Sequence, residues 1–315
     1  MHSPTHTICH AFAAVLISAA AVYAQPPGAQ PQPEFIRQGR QLEREGKLED
    51  ALAVYRKELQ ASPDSLPANN AAGQVLDLMG KGAEARKYFA KAIEAAPTPQ
   101  AKTQGQRNMA MSYAFEGDCQ DTAKYEQQAM DYWGTRQNAE PQNAFFQQGE
   151  MANEAARVCI ESGDLDLAYQ LYKKGHDLGL QEPDIKPDRK ELWEFRWEHA
   201  QARIAARRGN KAEAQKHVAA AKAVLDRGVI DKAQAVFFPY LTGYVALYTG
   251  DYKTALEDFQ KANQNDPFIQ CLIGQTYEKL GDQAKAMEYY RKASTTTAHN
   301  PPGAYARLFT RKKLG

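Results

Sequence analysis

The stretch Tyr240–Pro267, YLTGYVALYTGDYKTALEDFQKANQNDP, decides the fold of this chain. Gly243 has no side chain, so two antiparallel helices can approach each other closely at that point. Gly250 is the kind of residue that ends a first helix before a second begins. Phe259 fills the space that the small residues leave between the helices, and Pro267 ends the unit because proline cannot continue a helix. The stretch therefore predicts a helix–turn–helix unit.

The same pattern recurs along most of the chain. The predicted turn glycines are Gly46, Gly80, Gly117, Gly163, Gly209, Gly250 and Gly281, in steps of 34, 37, 46, 46, 41 and 31 residues. The spacing resembles that of the tetratricopeptide repeat, a helix–turn–helix unit of about 34 residues. The match is regular in the first two and last two units and looser in the middle three. The resemblance implies an all-α, right-handed superhelical solenoid of about seven such units.

The N-terminus has the pattern of a targeting segment. A short apolar run, Ala11–Val22, is followed by small residues at Val22 and Ala24, which predicts a secretory signal peptide cut after Ala24. Because no Lys or Arg precedes the run, an uncleaved anchor or a buried helix stays open as an alternative. We expect a periplasmic or secreted protein. Its predicted segments are a signal peptide (1–24), a Pro/Gln-rich linker (25–33), the repeat solenoid (34–298) and a C-terminal tail with a solvated basic end (299–315).

The sequence gives no sign of catalytic chemistry. It has no His-Glu-x-x-His, Gly-x-Ser-x-Gly or phosphate-binding glycine motif, and the histidines after the apolar run lack metal-ligand spacing. The formal net charge of +1 offers no argument for nucleic acid or a membrane surface as partner. After the N-terminal run, no apolar stretch is long enough to span a bilayer. We therefore predict a protein that is not an enzyme and has no cofactor.

Two cysteines are candidates for a disulfide. Cys119 begins the second helix of the third unit, and Cys159 lies on the first helix of the fourth unit. Adjacent helices of a solenoid are neighbours, and an exported protein meets oxidising conditions. A Cys119–Cys159 bridge is one expectation, and two buried thiols that only pack are the alternative.

The resemblance also implies where a partner would bind. In this family the first helix of each unit lines a concave groove, and the matching positions here are mostly basic or aromatic. We expect the partner to be another exported protein, with an acidic or aromatic segment. Arginine forks suit carboxylates, and tyrosines give rigid contact area. The alternative is a solvated basic face beside tyrosines that only pack between repeats. The predicted groove residues are Arg107, Asn153, Arg157, Arg196, His199, Arg203, Arg207, Tyr240, Tyr244 and Tyr248.

Two functions fit these features. The first is a protein-binding scaffold of the cell envelope, which the resemblance implies. The second is an accessory or non-catalytic repeat module of an exported enzyme or of an outer-membrane assembly system. No cysteine is placed as a lipoprotein acceptor, because Cys9 precedes the apolar run, and this counts against the assembly system.

Overall fold

Fifteen α-helices and one short 3-10 helix make up residues 32–315, the part of the chain that our computed structural model describes. The predicted signal peptide and most of the linker lie outside the described residues. No strand occurs between residues 32 and 315, so the all-α class is confirmed. The helices are α1 (Glu34–Arg44), α2 (Leu48–Ala61), α3 (Leu66–Leu78), α4 (Gly82–Glu94), α5 (Pro99–Ala114), α6 (Cys119–Gly134), α7 (Pro141–Ser162), α8 (Leu165–Gly179), α9 (Pro187–Arg207), α10 (Lys211–Asp226), α11 (Phe237–Tyr248), α12 (Tyr252–Phe259), α13 (Pro267–Leu280), α14 (Gln283–Ser294) and α15 (Pro301–Leu314), with the 3-10 helix at Lys232–Val236.

The seven predicted turn glycines each separate the two helices of one pair. All seven have a positive φ, between 74° and 97°. A residue with a Cβ rarely adopts this left-handed conformation, whereas glycine reaches it without steric strain. The pairs α1/α2 to α13/α14 are therefore the seven units that the glycine spacing predicts.

Close helix approach in the four regular units follows from a glycine facing an aromatic ring. The pairs are Gly39–Tyr55, Gly73–Phe89, Gly243–Phe259 and Gly274–Tyr290. A Cβ built on any of these glycines would come within 2.7 Å of the ring opposite. All four rings are fully buried. The small and aromatic positions of the repeat are thus two halves of one contact, as the sequence predicts.

The first helices of the pairs form a layer of their own. We use the term first-helix layer for α1, α3, α5, α7, α9, α11 and α13. Within it α1 packs on α3, α3 on α5, α9 on α11 and α11 on α13. The second helix of each pair packs on its own first helix, so this layer carries the residues predicted to face a partner.

The predicted tail forms a fifteenth helix. Asn300 caps α15, since its side-chain oxygen accepts a hydrogen bond from Gly303 N at 2.9 Å. Pro301 and Pro302 occupy the first turn, where a missing N–H does no harm. Gly303, Ala304 and Ala306 are buried. The tail is therefore helical over residues 301–314, and its basic residues Arg311 and Lys312 are exposed at the end of the helix.

Helix α15 packs on the last unit of the solenoid and also on its third and fourth units. It packs on α13 and α14, which precede it, and also on α5 and α7. Just before it, His299 Nε2 lies 2.9 Å from Asp77 Oδ2 on α3, and both side chains are buried. Arg311 donates a hydrogen bond to the Phe115 carbonyl at 3.2 Å. Because these contacts bridge about two hundred residues of sequence, α15 covers part of the first-helix layer.

Candidate partner-binding surface

Helix α7 carries three carboxylates that neutralise arginines of the predicted groove. Spacings of four and seven residues put them on one side of the helix. The pairs are Glu150–Arg196, Glu154–Arg107 and Glu161–Arg207. In the second pair one guanidinium nitrogen is 2.8 and 2.7 Å from the two carboxylate oxygens. These carboxylates were missing from the sequence prediction, although their spacing on α7 was a visible signal.

Arg203 lies inside a cluster of tyrosines. Its side chain is 5% exposed and donates hydrogen bonds to the hydroxyls of Tyr172 and, at 2.9 Å, Tyr240. Its guanidinium lies 5.7 Å from the centre of the Tyr244 ring. Tyr244 is itself fully buried and donates to Glu161 at 2.8 Å. A buried cation is tolerated here because aromatic faces and a carboxylate compensate the lost hydration.

Arg207 extends this cluster towards solvent. It lies 2.9 Å from Glu161 and donates weaker hydrogen bonds to Tyr244 and Tyr248, at 3.3 and 3.4 Å. Its guanidinium stacks 4.7 Å from the centre of the Tyr248 ring. Tyr240 and Tyr248 stay half-buried, and burial raises the pKa of both hydroxyls.

Asn153 and His199 are buried as well. Asn153 is 4% exposed, and its side-chain oxygen packs against Gly175 on α8. His199 is 7% exposed, and its ring centre is 5.0 Å from that of Tyr240. Burial lowers the pKa of His199 well below its usual value, and the Arg203 charge lowers it further, so the imidazole is neutral. Its Nε2 atom is buried without a hydrogen-bond partner.

Four of the ten predicted groove residues have buried side chains: Asn153, His199, Arg203 and Tyr244. Their side chains pack between repeats, as the alternative interpretation held for the tyrosines. The physical reason is that long side chains of α7, α9 and α11 fill the space between these helices: Arg203 and His199 pack on Tyr240, and Tyr244 reaches Glu161.

Arg157 behaves differently from the other predicted arginines. It is exposed, and no carboxylate of the described chain lies within ion-pair distance of it. Its charge helps to lower the pKa of His199 and opposes the rise that burial causes in the pKa of Tyr240. Burial raises the pKa of Asp266, and the Arg157 charge opposes that rise. Arg157 is therefore an open cation on a layer whose other predicted arginines are already paired.

A buried carboxyl group outside the first-helix layer also has a shifted pKa. Glu126 on α6 is fully buried. Burial raises the pKa of its carboxyl well above the usual value, and the charge of nearby Glu154 raises it further. Both effects favour the protonated, neutral form of this carboxyl group.

The structure joins Cys119 and Cys159 in a disulfide, with 4.7 Å between the Cα atoms. Both residues are buried among alanines of α7 and α8. Cys271, on α13, is a buried free thiol, and burial raises its pKa. The bridge ties the start of α6 to α7 near the site where α15 docks.

Two further structural findings concern residues 32–315 only. No group of three or more His, Cys, Asp or Glu side chains in this range is placed to hold a metal ion. In the same range no helix combines the length and the apolar character needed to cross a membrane.

A solenoid of helical hairpins is the class of protein that this architecture defines. Two models of the tetratricopeptide repeat match the chain, one at residues 36–98 and the other at residues 269–298. The matched segments cover most of the first two units and of the last one.

Solved structures with similar folds are distant in sequence. A tetratricopeptide repeat protein from Parabacteroides merdae is 15% identical, with 89% of this chain and 98% of that chain covered and a TM-score of 0.46. A putative kinesin light chain with nearly identical TPR-like repeats, from Podosopora anserina, is 15% identical over 62% of this chain and 94% of that one, with a TM-score of 0.47. YrrB, described as a TPR protein with an unusual peptide-binding site, is 20% identical over 60% of this chain and 84% of that one, with a TM-score of 0.35. No curated protein matches.

Proposed function

We propose that this protein is a non-enzymatic scaffold that binds a segment of another protein on its first-helix layer. Tetratricopeptide repeats at both ends of the described chain support binding of a protein rather than of a small molecule. Helix α15 covers part of α5 and α7, but Arg157 on α7 stays exposed, and the partner segment contacts the layer there.

This proposal rests on one observation, the side chain of Arg157, which is exposed and unpaired within the described chain. Three arginines on neighbouring helices are neutralised from within, by Glu150, Glu154 and Glu161. Arg157 is exposed to solvent and has no carboxylate within ion-pair distance among residues 32–315. A carboxylate from outside would complete the same kind of pair with charge-assisted hydrogen bonds. The partner segment is therefore acidic.

We also propose that the scaffold works in the periplasm or outside the cell. The pattern at Ala11–Ala24 is typical of a cleaved signal peptide. The Cys119–Cys159 disulfide supports this location independently, because such bonds persist in oxidising compartments and are rare in the cytosol.

The test begins with affinity capture of partners from an envelope extract of the source organism, followed by binding measurements with the purified partner. We expect Arg157→Glu to weaken binding about tenfold or more, since it replaces an attraction by a repulsion. Added salt should weaken wild-type binding as well. Arg291→Glu is the matched control: Arg291 is an exposed arginine on the second-helix side, on α14, and the charge change is identical. If both variants fold and bind the partner as the wild type does, the site is not at Arg157.

A further inference from the structure

Exposed apolar side chains are concentrated on one connection of the solenoid. Between residues 32 and 315 four large hydrophobic residues are exposed, and three lie between α10 and the first turn of α11. They are Val229 (42% exposed), Val236 (45%) and Phe237 (36%). Single exposed apolar residues are ordinary, but a group of them marks an interaction site.

The segment that carries these side chains is anchored on both sides. Ile230 is buried in the core formed by α9, α10 and α11. Asp231 caps the 3-10 helix, because its carboxylate accepts a hydrogen bond from Ala233 N at 2.9 Å. Val236 and Phe237 therefore project from a fixed backbone, which lowers the entropy cost of burying them against a partner.

The same segment adjoins the open cation. The ion pairs Glu150–Arg196 and Glu161–Arg207 and the hydrogen bonds from Arg203 to Tyr240 and from Arg207 to Tyr244 run in step along α7, α9 and α11. This register puts Arg157 level with Tyr240, about one helical turn from Phe237. The buried Nε2 atom of His199 has no hydrogen-bond partner within the described chain. An apolar edge thus lies about one helical turn from an exposed guanidinium that has no ion-pair partner within residues 32–315.

We propose that Val236, Phe237 and Arg157 form a composite docking surface for a partner segment that carries a large apolar side chain next to an acidic one. This inference rests on the proposed function and adds the apolar half of the recognition. A purely acidic segment would leave Val236 and Phe237 in water, and a basic one would be repelled by Arg157. A segment with both features satisfies both halves, with the apolar contact supplying affinity and the ion pair fixing orientation.

Selection of random short peptides displayed on phage tests this without knowledge of the natural partner. The bait is the purified protein, and we expect enriched peptides to contain Asp or Glu within a few residues of Phe, Leu, Ile or Trp. A synthetic copy of one enriched peptide then gives affinities for the variants. The double variant Val236→Ser/Phe237→Ser should weaken binding about tenfold, the usual loss when central apolar contacts are removed. Leu280→Ser, which removes the fourth exposed apolar side chain on a different helix end, is the matched control.

The outcomes separate this inference from the proposed function. If Arg157→Glu abolishes binding while the serine double variant binds like the wild type, the apolar half is refuted and the acidic-segment scaffold stands. If neither change affects binding by a well-folded protein, or if no peptide is enriched, both proposals are overturned. Enriched peptides without acidic residues, lost only by the double variant, would overturn the proposed function.

Discussion

Removal of the Cys119–Cys159 disulfide is the perturbation whose size the structure defines best. The bridge closes a loop of 40 residues. In the loop-entropy model a cross-link of that span lowers the entropy of the unfolded chain enough to stabilise the folded state by about 4 kcal/mol. We expect Cys119→Ala with Cys159→Ala to lower the free energy of unfolding by about that amount.

The packing of the two sulfur atoms is a separate contribution and needs its own control. Both cysteines are buried, so alanine also leaves a small cavity, which costs about 1 kcal/mol. Reduction of the wild type breaks only the cross-link. Urea unfolding followed by circular dichroism should therefore place the reduced wild type close to the double variant, and both well below the oxidised protein. Thiol alkylation of the unreduced, denatured chain from residue 25 onward should detect Cys271 alone.

The loss of stability on removal of the disulfide should be largest where α15 docks. Phe115 and Gly117 precede the first cysteine, and they contact Arg311 and Leu308 of α15. Hydrogen exchange in the double variant should therefore speed up in α15 more than in α1 or α2. If the free energy of unfolding falls by less than about 1 kcal/mol, or if α15 exchanges as slowly as before, the bridge does not have this role.

Three further predictions concern stability. Glu126→Gln should stabilise the protein at pH 7.5 but not near pH 4. The pKa of this carboxyl is raised in the folded state, so the wild type loses stability as the pH rises above the pKa of the unfolded state, and the amide variant does not. If the variant and the wild type have equal urea midpoints at both pH values, this prediction is wrong. Gly243→Ala puts a Cβ within 2.7 Å of Phe259 and should cost about 1–3 kcal/mol in thermal or urea unfolding, whereas a neutral result would show that the ring can move. His299→Ala leaves the buried Asp77 with one fewer hydrogen-bond donor and should lower the free energy of unfolding by about 2–3 kcal/mol. Hydrogen exchange should become faster first in α15. An equal increase in all helices would show that His299 does not hold α15 in place.

The regular part of the fold could be predicted because its causes are local in sequence. A turn glycine needs only its own backbone conformation, and each facing pair such as Gly39 and Tyr55 is separated by a constant number of residues. The groove could be predicted less well. The repeat pattern identifies which helices carry Arg203 and Tyr244, but burial depends on how closely α7, α9 and α11 approach, and the middle units depart from the regular spacing.

The sequence indicates that α15 is a helix, but it does not indicate where this helix docks. Asn300 followed by two prolines is typical of a helix start, so the helix itself could have been predicted. Its docking on α5 and α7 depends on the curvature added by every preceding unit, which no short pattern contains.

That docking connects α15 to the proposed partner site through α7. Val158 packs in the same cluster as Ala304 of α15, whereas Arg157, one residue earlier and about 100° round the helix, faces solvent. A displacement of α7 that loosened α15 would therefore also move Arg157 relative to Phe237 on α11. Since α7 is held by the disulfide on one side and by its ion pairs with α5 and α9 on the others, these contacts keep the two halves of the docking surface in register. A scaffold that binds through separate helices needs this rigidity, because an apolar contact and an ion pair reinforce each other only when both fit one partner segment at the same time.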